Sequence, residues 1–189
     1  YGRENMPAVK CMRPGNSSNK KMEQKEEVLW FNLLMASATL ITGLLAGGSV
    51  DRYVVQVPAW RHLNILSWSE YTKYAEFGNG LYLYPFEVLG SFILLFTATA
   101  LVLIHKTRFR HIALSVHLAT IFATIGVIFT FFSFPVMLNI QSLGNNDILV
   151  QHAFDKYHFW GLLRAIAQLL SFFACAWVFA RRFNDINRL

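Results

Sequence analysis

The chain has 189 residues, of which 54% are hydrophobic, 15% aromatic and only 15% charged. A water-soluble domain carries about 25% charged residues to solvate its surface, so this composition excludes an ordinary soluble protein and makes lipid the solvent for most of the chain. The formal charge of +6 does not point to nucleic acid, because the basic residues flank apolar runs and form no stripe or recognition motif.

Residues 1–27 read as a polar tail, of which the first 21 are patternless and suit a solvated arm or a segment that binds a partner. The first apolar segment, Val28 to Gly48, is long enough to span a bilayer at 1.5 Å per residue. It lacks the small-residue cleavage site of a signal peptide, since Gly47-Gly48 run almost directly into Asp51-Arg52, and so reads as a retained helix. Asn32, Ala36, Thr39, Gly43 and Gly47 give it a small-residue face suited to close helix contact.

The connection from Ser49 to Gly80 is far longer than a helix bundle needs and is rich in Trp and Tyr, so a structured loop is expected. Ser67-Trp68-Ser69-Glu70 fits a capping box that opens a short helix running to Gly78. Trp68, Tyr71, Tyr74 and Phe77 recur at three-residue spacing, which suits either an aromatic belt at the membrane interface or a lid over a cavity.

Leu81 to Ile104 is the second span, and it aligns Glu87 with Ser91 and Ala98. His105 to His111 reads as a tight basic turn. Ile112 to Leu138 is the third span and aligns His117, Thr120 and Thr124. The fourth, Phe159 to Ala180, continues a stripe of Tyr157, Gly161, Arg164, Gln168, Ser171 and Cys175 at steps of three and four, which places all six on one interior face. Residues 181–189 form a basic terminus.

The expected fold is therefore an all-α, integral membrane four-helix bundle with a long structured first extracytoplasmic loop. Twelve Lys and Arg flank the spans on the side of the two termini against four on the other (Arg52, Arg61, Lys73 and Lys156), which places both termini in the cytoplasm.

Charges within a span cost at least about 2.5 to 3.5 kcal/mol each on insertion scales, so Glu87 and Arg164 need partners or water. Counted from Leu81 and Phe159, they lie about 9 Å and about 7.5 Å below the same boundary, and an ion pair between them is expected. The same end gathers Asp51, Arg52, Asn139, Asp155 and His158. Asp155 and His158, three residues apart, are too few ligands for a metal centre, and His105 and His117 lie toward the opposite end from His158, which disfavours a haem. Cys11 and Cys175 form no Cys-x-x-Cys pair, and no nucleophile-elbow, zinc-protease or phosphate-loop motif is present. No metal or organic cofactor is expected.

The Gly-rich end of the first span leading into Asp51-Arg52-Tyr53-Val54-Val55-Gln56-Val57-Pro58-Ala59-Trp60, together with Tyr84-Pro85, Phe134-Pro135, Asn139 and an aromatic-to-Arg opening of the fourth span, resembles the anthrone-oxygenase-like family of small membrane proteins. The resemblance covers about residues 28–180. Where the family carries Trp, then Asn or His, then Arg, this chain has Tyr157, Gly161 and Arg164, so that the Arg alone matches outright. The resemblance implies oxidation of a lipophilic aromatic substrate by oxygen without a cofactor, through a substrate carbanion that the protein generates with a base and stabilises with a cation. On that reading His158 or Asp155 is the base, Arg164 stabilises the enolate and Glu87 orients Arg164. The alternative is a non-catalytic accessory or ligand-binding subunit of a larger membrane complex, with partner membrane proteins or copies of itself and with Glu87 and Arg164 as a structural pair. On the enzyme reading the lipophilic substrate enters from the outer leaflet, and a lipophilic ligand is expected near Arg164, against Trp60, Trp160 or Phe134, whereas a fully packed bundle there would favour the accessory subunit.

Overall fold

The computed structural model describes residues 16–75, 78, 80–143 and 146–186. The segment 1–15 with Cys11, and also Phe77, Arg188 and Leu189, lie outside the described residues. What is described is all-α, with four apolar helices long enough to cross a membrane, and the chain is a multi-pass membrane protein. Helices suit this composition because lipid offers no partner to backbone N–H and C=O groups, which a helix satisfies within itself.

In chain order the elements are α1 (Asn16–Asp51), a π-turn (Arg52–Gln56), α2 (Val57–Leu63), α3 (Ile65–Tyr74), α4 (Gly80–Ile104), α5 (Lys106–Asn139), a 3-10 turn (Ile140–Leu143) and α6 (Asp147–Ile186). Residues 16–27, expected in the polar tail, are already helical. They are rich in Lys, Glu, Gln and Met, whose unbranched side chains lose little freedom in a helix. The basic turn shrinks to His105 alone, whose N–H still donates to the Leu101 carbonyl at 2.9 Å.

The connection from Ser49 to Gly80, expected to be structured and to hold a short helix, is helical at all its described residues but Asn64. The first helix continues through Gly48 and the π-turn into α2, because Asp51–Gln56 contains neither Gly nor Pro to stop it and Pro58 sits in the first turn of α2, where its missing N–H costs nothing. The expected capping box at Ser67 is replaced by Asn64, whose side-chain oxygen accepts from the Leu66 N–H at 3.2 Å. Asn is itself a preferred cap and stands immediately after α2, so the helix begins two residues before Ser67. The aromatic residues at three-residue spacing do not share a face either, since a step of three falls 60° short of a full turn. Trp68 is fully buried, Tyr71 packs on Trp60 at 5.1 Å, and Tyr74 is exposed.

Two cores result. The first gathers Phe31, Met35, Leu95, Val102, Phe109 and Val116 toward the end of the bundle where α4 turns into α5, here the His105 end. Phe31 stacks on Phe109 with centroids 4.3 Å apart, and Arg108 pairs with Glu27 at 2.8 Å. The second gathers Val57, Trp60, Trp68, Ile140, Phe154 and Tyr157 at the opposite, Arg52 end. Helix α6 has 40 residues, about 60 Å at 1.5 Å each against a hydrocarbon slab of about 30 Å. Its first turns therefore project beyond the slab, and α2 and α3 pack on them as a cap.

The expected interior stripes of α4 and α6 are buried or half-buried throughout, and Thr120 reaches across to Thr99 at 2.7 Å. The small-residue face of α1 is not its core face. Phe31, Met35, Ala38, Thr42 and Ala46 are buried instead, one position round the helix. That buried face itself mixes the large Phe31 and Met35 with the small Ala38, Thr42 and Ala46. Of the small residues, Gly43 alone approaches a neighbour tightly, a Cβ there meeting the Phe172 ring at 3.1 Å, whereas nothing lies within 4 Å of one at Gly47.

Accordingly, Gly47→Ala should be neutral or raise stability by up to about 1 kcal/mol, and Trp68→Ala should lower it by about 3 to 5 kcal/mol. Denaturation of the detergent-solubilised variants checks both.

Candidate functional site

Between the two cores the helices leave a cavity of about 470 Å³. Its walls come from the Arg52 end of α1 (Leu44 to Arg52), the opening of α4 (Tyr84 to Leu89), the last turns of α5 (Val127 to Met137) and Tyr157, Arg164 and Gln168 of α6. The lining is mostly aliphatic and aromatic with a few charged and polar groups, the usual character of a small-molecule site.

The π-turn sets up one side of it. Each residue of a π-turn is wound less tightly than in an α-helix, so the segment shifts the register of everything after Asp51. Arg52 is only 9% exposed and turns inward, its Nη1 donating to the Tyr157 hydroxyl at 2.6 Å and its Nη2 to the Tyr84 hydroxyl at 3.3 Å. Those two bonds tie the end of α1 to α6 and α4. Neighbouring Tyr53 points the other way, its hydroxyl donating to the His158 carbonyl at 3.3 Å. That approach requires Gly161, because a Cβ there would run into the Tyr53 hydroxyl. Asp51 accepts from Gln56 Nε2 at 2.6 Å, and Ser49 donates to Gln168, a further α1–α6 link.

Glu87 and Arg164 both line the cavity, but the expected ion pair is not formed. Among the described residues Arg164 has one polar contact, from Nη1 to the Ser133 hydroxyl at 3.5 Å, and Glu87 has none. Their depths match along the two helices, but both stand on the cavity wall more than 4.0 Å apart.

Of the other expected site residues, Asp51 and Arg52 line the cavity, whereas Asp155, His158 and Asn139 do not. Asp155 is exposed and accepts from Gln151 at 3.0 Å. His158 stacks between Phe154, at 6.0 Å, and Tyr53, at 5.2 Å, on the cap side of α6. The reason is helical geometry: Tyr157 and Arg164 face the cavity, and a residue one step beyond Tyr157 is turned 100° away. Asn139 is exposed at the end of α5. Of the three aromatic residues expected around a ligand, Phe134 lines the cavity, while Trp60 belongs to the cap and Trp160 stacks on Phe132 at 4.9 Å.

The structure adds residues that the sequence did not single out for the site. In sequence Tyr84 stands out only as half of a Tyr-Pro motif, and Ser133, which is buried and immediately precedes Phe134-Pro135, does not stand out at all. The signal for Tyr84 was its place one turn before Val88 and two before Ser91 on the inward face of α4. Among the described residues no three His, Cys, Asp or Glu side chains come together as a metal site.

Comparison of the chain with protein-family models, with curated proteins and with solved structures gives no match.

Because Arg52 is buried and held by phenols, Tyr157→Phe should lower stability by about 1.5 to 3 kcal/mol, the range for a hydrogen bond to a charged group. Tyr84→Phe, which removes a longer bond, should cost less. Thermal unfolding of the two variants in detergent gives the ranking.

Proposed function

We propose that this chain binds a lipophilic small molecule inside the membrane, with the polar group of the ligand between Arg164 and Glu87 and its body against Phe131, Phe134 and Met137. The observation that carries the reading is the cavity of about 470 Å³ in which an Arg and a Glu stand on the wall without pairing. Charges held in a low-dielectric site without partners are expensive, and a ligand that offers an acceptor to Arg164 and a donor to Glu87 removes that cost. The basic-residue asymmetry supports the orientation: both termini in the cytoplasm and the cavity toward the extracytoplasmic side.

The catalytic form of this reading is the oxygenase-like one, and it is supported by the motif resemblance around Asp51–Trp60, Tyr84-Pro85 and Arg164. In it Glu87 takes the role of base, since it lines the cavity and His158 and Asp155 do not. Glu87 removes a proton from an acidic CH2 of the substrate and Arg164 stabilises the resulting enolate; the carbanion carbon reduces O2 and bonds to it as a hydroperoxide, whose proton comes back from Glu87, and loss of one water leaves the ketone. The accessory-subunit form keeps the ligand and omits the chemistry.

The test is titration of reconstituted protein with a fluorescent anthracene carboxylate. Saturable binding is expected, weakened about ten- to a hundredfold in Arg164→Gln by loss of a charge-assisted hydrogen bond. Partitioning that is non-saturable and identical in both proteins would sink the proposal. Oxygen uptake with an anthrone separates the two forms: Glu87→Gln abolishes it in the enzyme while binding persists, and the accessory subunit shows no uptake at all.

A further inference from the structure

The back of the cavity is closed. Its α6 residues Tyr157, Arg164 and Gln168 are buried or half-buried among α1 and α5. The side formed by α1 and α4 is different. These helices touch at Gly90, where a Cβ would stand 3.8 Å from Ile41. Between that contact and the Arg52–Tyr84 hydrogen bond they leave a gap, and no atom of the described residues lies within 4 Å of a Cβ at Gly48, two turns along from Ile41. Leu44 and Gly48 on α1 and Tyr84 and Pro85 on α4 line the cavity and are also exposed at the surface, Leu44 by 58% and Tyr84 by 39%. Tyr84 lies on the inward face of α4, in line with buried Ser91, Leu95 and Ala98, and in a closed bundle it would be covered as they are. Pro85 removes one of the backbone hydrogen bonds that hold this helix straight, a common cause of a bend away from a neighbour.

The depth of this opening decides what fills it. Counted from the span boundaries at Gly48 and Leu81, Tyr84 lies about 4.5 Å and Leu44 about 6 Å inside the apolar slab, and the closing contact of Ile41 with Gly90 lies about 10 to 14 Å inside. The whole opening therefore falls within one leaflet of about 15 Å, and the medium on its far side is acyl chains.

We infer that the cavity is loaded sideways from one leaflet of the bilayer, through a window between α1 and α4 whose sill is Ile41–Gly90, whose lintel is the Arg52–Tyr84 hydrogen bond and whose posts are Leu44, Gly48, Tyr84 and Pro85. The inference rests on the binding function proposed above and narrows its ligand to an amphiphile that dissolves in the bilayer. The volume of the cavity fits a single drug-sized body. An amphiphile lying in the leaflet already holds its polar end near the depth of Arg164, so it reaches the site by lateral diffusion without passing its apolar body through water. Gly48 matters here because it has no side chain to block the way.

The experiment uses the full chain in phosphatidylcholine vesicles with two photoreactive probes. One is a diazirine-bearing long-chain fatty acid dissolved in the bilayer; the other is a short diazirine carboxylate confined to water. Labelled positions are mapped by peptide mass spectrometry. The bilayer probe should label Glu87 and Met137 to within about threefold of lipid-facing Leu114. Gly48→Phe should reduce labelling at Glu87 and Met137 at least fivefold and leave Leu114 unchanged, which also shows that the variant is folded. Gly48→Leu, a smaller plug, should give an intermediate loss. Labelling of Glu87 and Met137 by the aqueous probe alone would overturn the portal and leave the binding reading standing. Labelling by neither probe would remove both, and labelling by the bilayer probe that is indifferent to both Gly48 variants would overturn this route.

Discussion

The guanidinium of Arg52 is the point on which this architecture turns. It lies where the apolar part of α1 ends, it is almost wholly buried, and it is held by the hydroxyls of Tyr157 on α6 and Tyr84 on α4. A buried cation that lost those acceptors would demand water or a counter-charge, so three helices are fixed at one level by a single side chain. The π-turn is what aims it. Beyond that level the chain can leave the bundle axis as α2 and α3 and cap the projecting end of α6, and short of it the first core can close around Phe31, Leu95 and Phe109.

The cavity follows from having two cores rather than one. Each core packs its own large side chains, Phe31 with Phe109 in one and Trp68 with Phe154 in the other. Between them α1 offers Gly48 and Ser49, and α5 offers Thr130 and Ser133. Residues of that size cannot fill the space that four helices enclose at this level. Glu87 and Arg164, instead of meeting, both stand on the wall of the remaining void. In a water-soluble protein such a gap between cores would admit solvent freely; here the surrounding medium is lipid on the α1–α4 side and a folded cap at the end.

How much of this the sequence revealed depended on the kind of signal. Hydropathy located all four spans because the bilayer sets their length, and the steps of three and four on α6 identified an interior face that the structure keeps. Depth arithmetic brought Glu87 and Arg164 to one level, but it carries no information on lateral distance, and so it could not distinguish an ion pair from two walls of a cavity. The connection from Ser49 to Gly80 reads as structured with a short helix, and what the sequence does not signal is how much more of it is helical: polarity marks departure from lipid and not departure from helix, and Asp51–Gln56 stays helical with a π-turn that no residue type announces. Depth likewise does not separate Tyr157 from His158: of the two neighbours Tyr157 lines the cavity and His158, 100° round the helix, does not.

The depth of Arg164 has an electrical meaning as well. Five residues past Phe159, it lies about 7.5 Å into an apolar slab of about 30 Å, roughly a quarter of the way through the region across which a membrane potential falls. A unit charge crossing the full potential changes its energy by about 2.3 kcal/mol per 100 mV, so a singly charged head group settling at Arg164 feels about 0.6 kcal/mol of it. That is a change of about threefold in occupancy per 100 mV, with a sign set by which face of the membrane the cap occupies. Occupancy of this cavity by any charged ligand is thereby coupled to the energised state of the membrane that holds it, through nothing more than where one arginine sits along its helix.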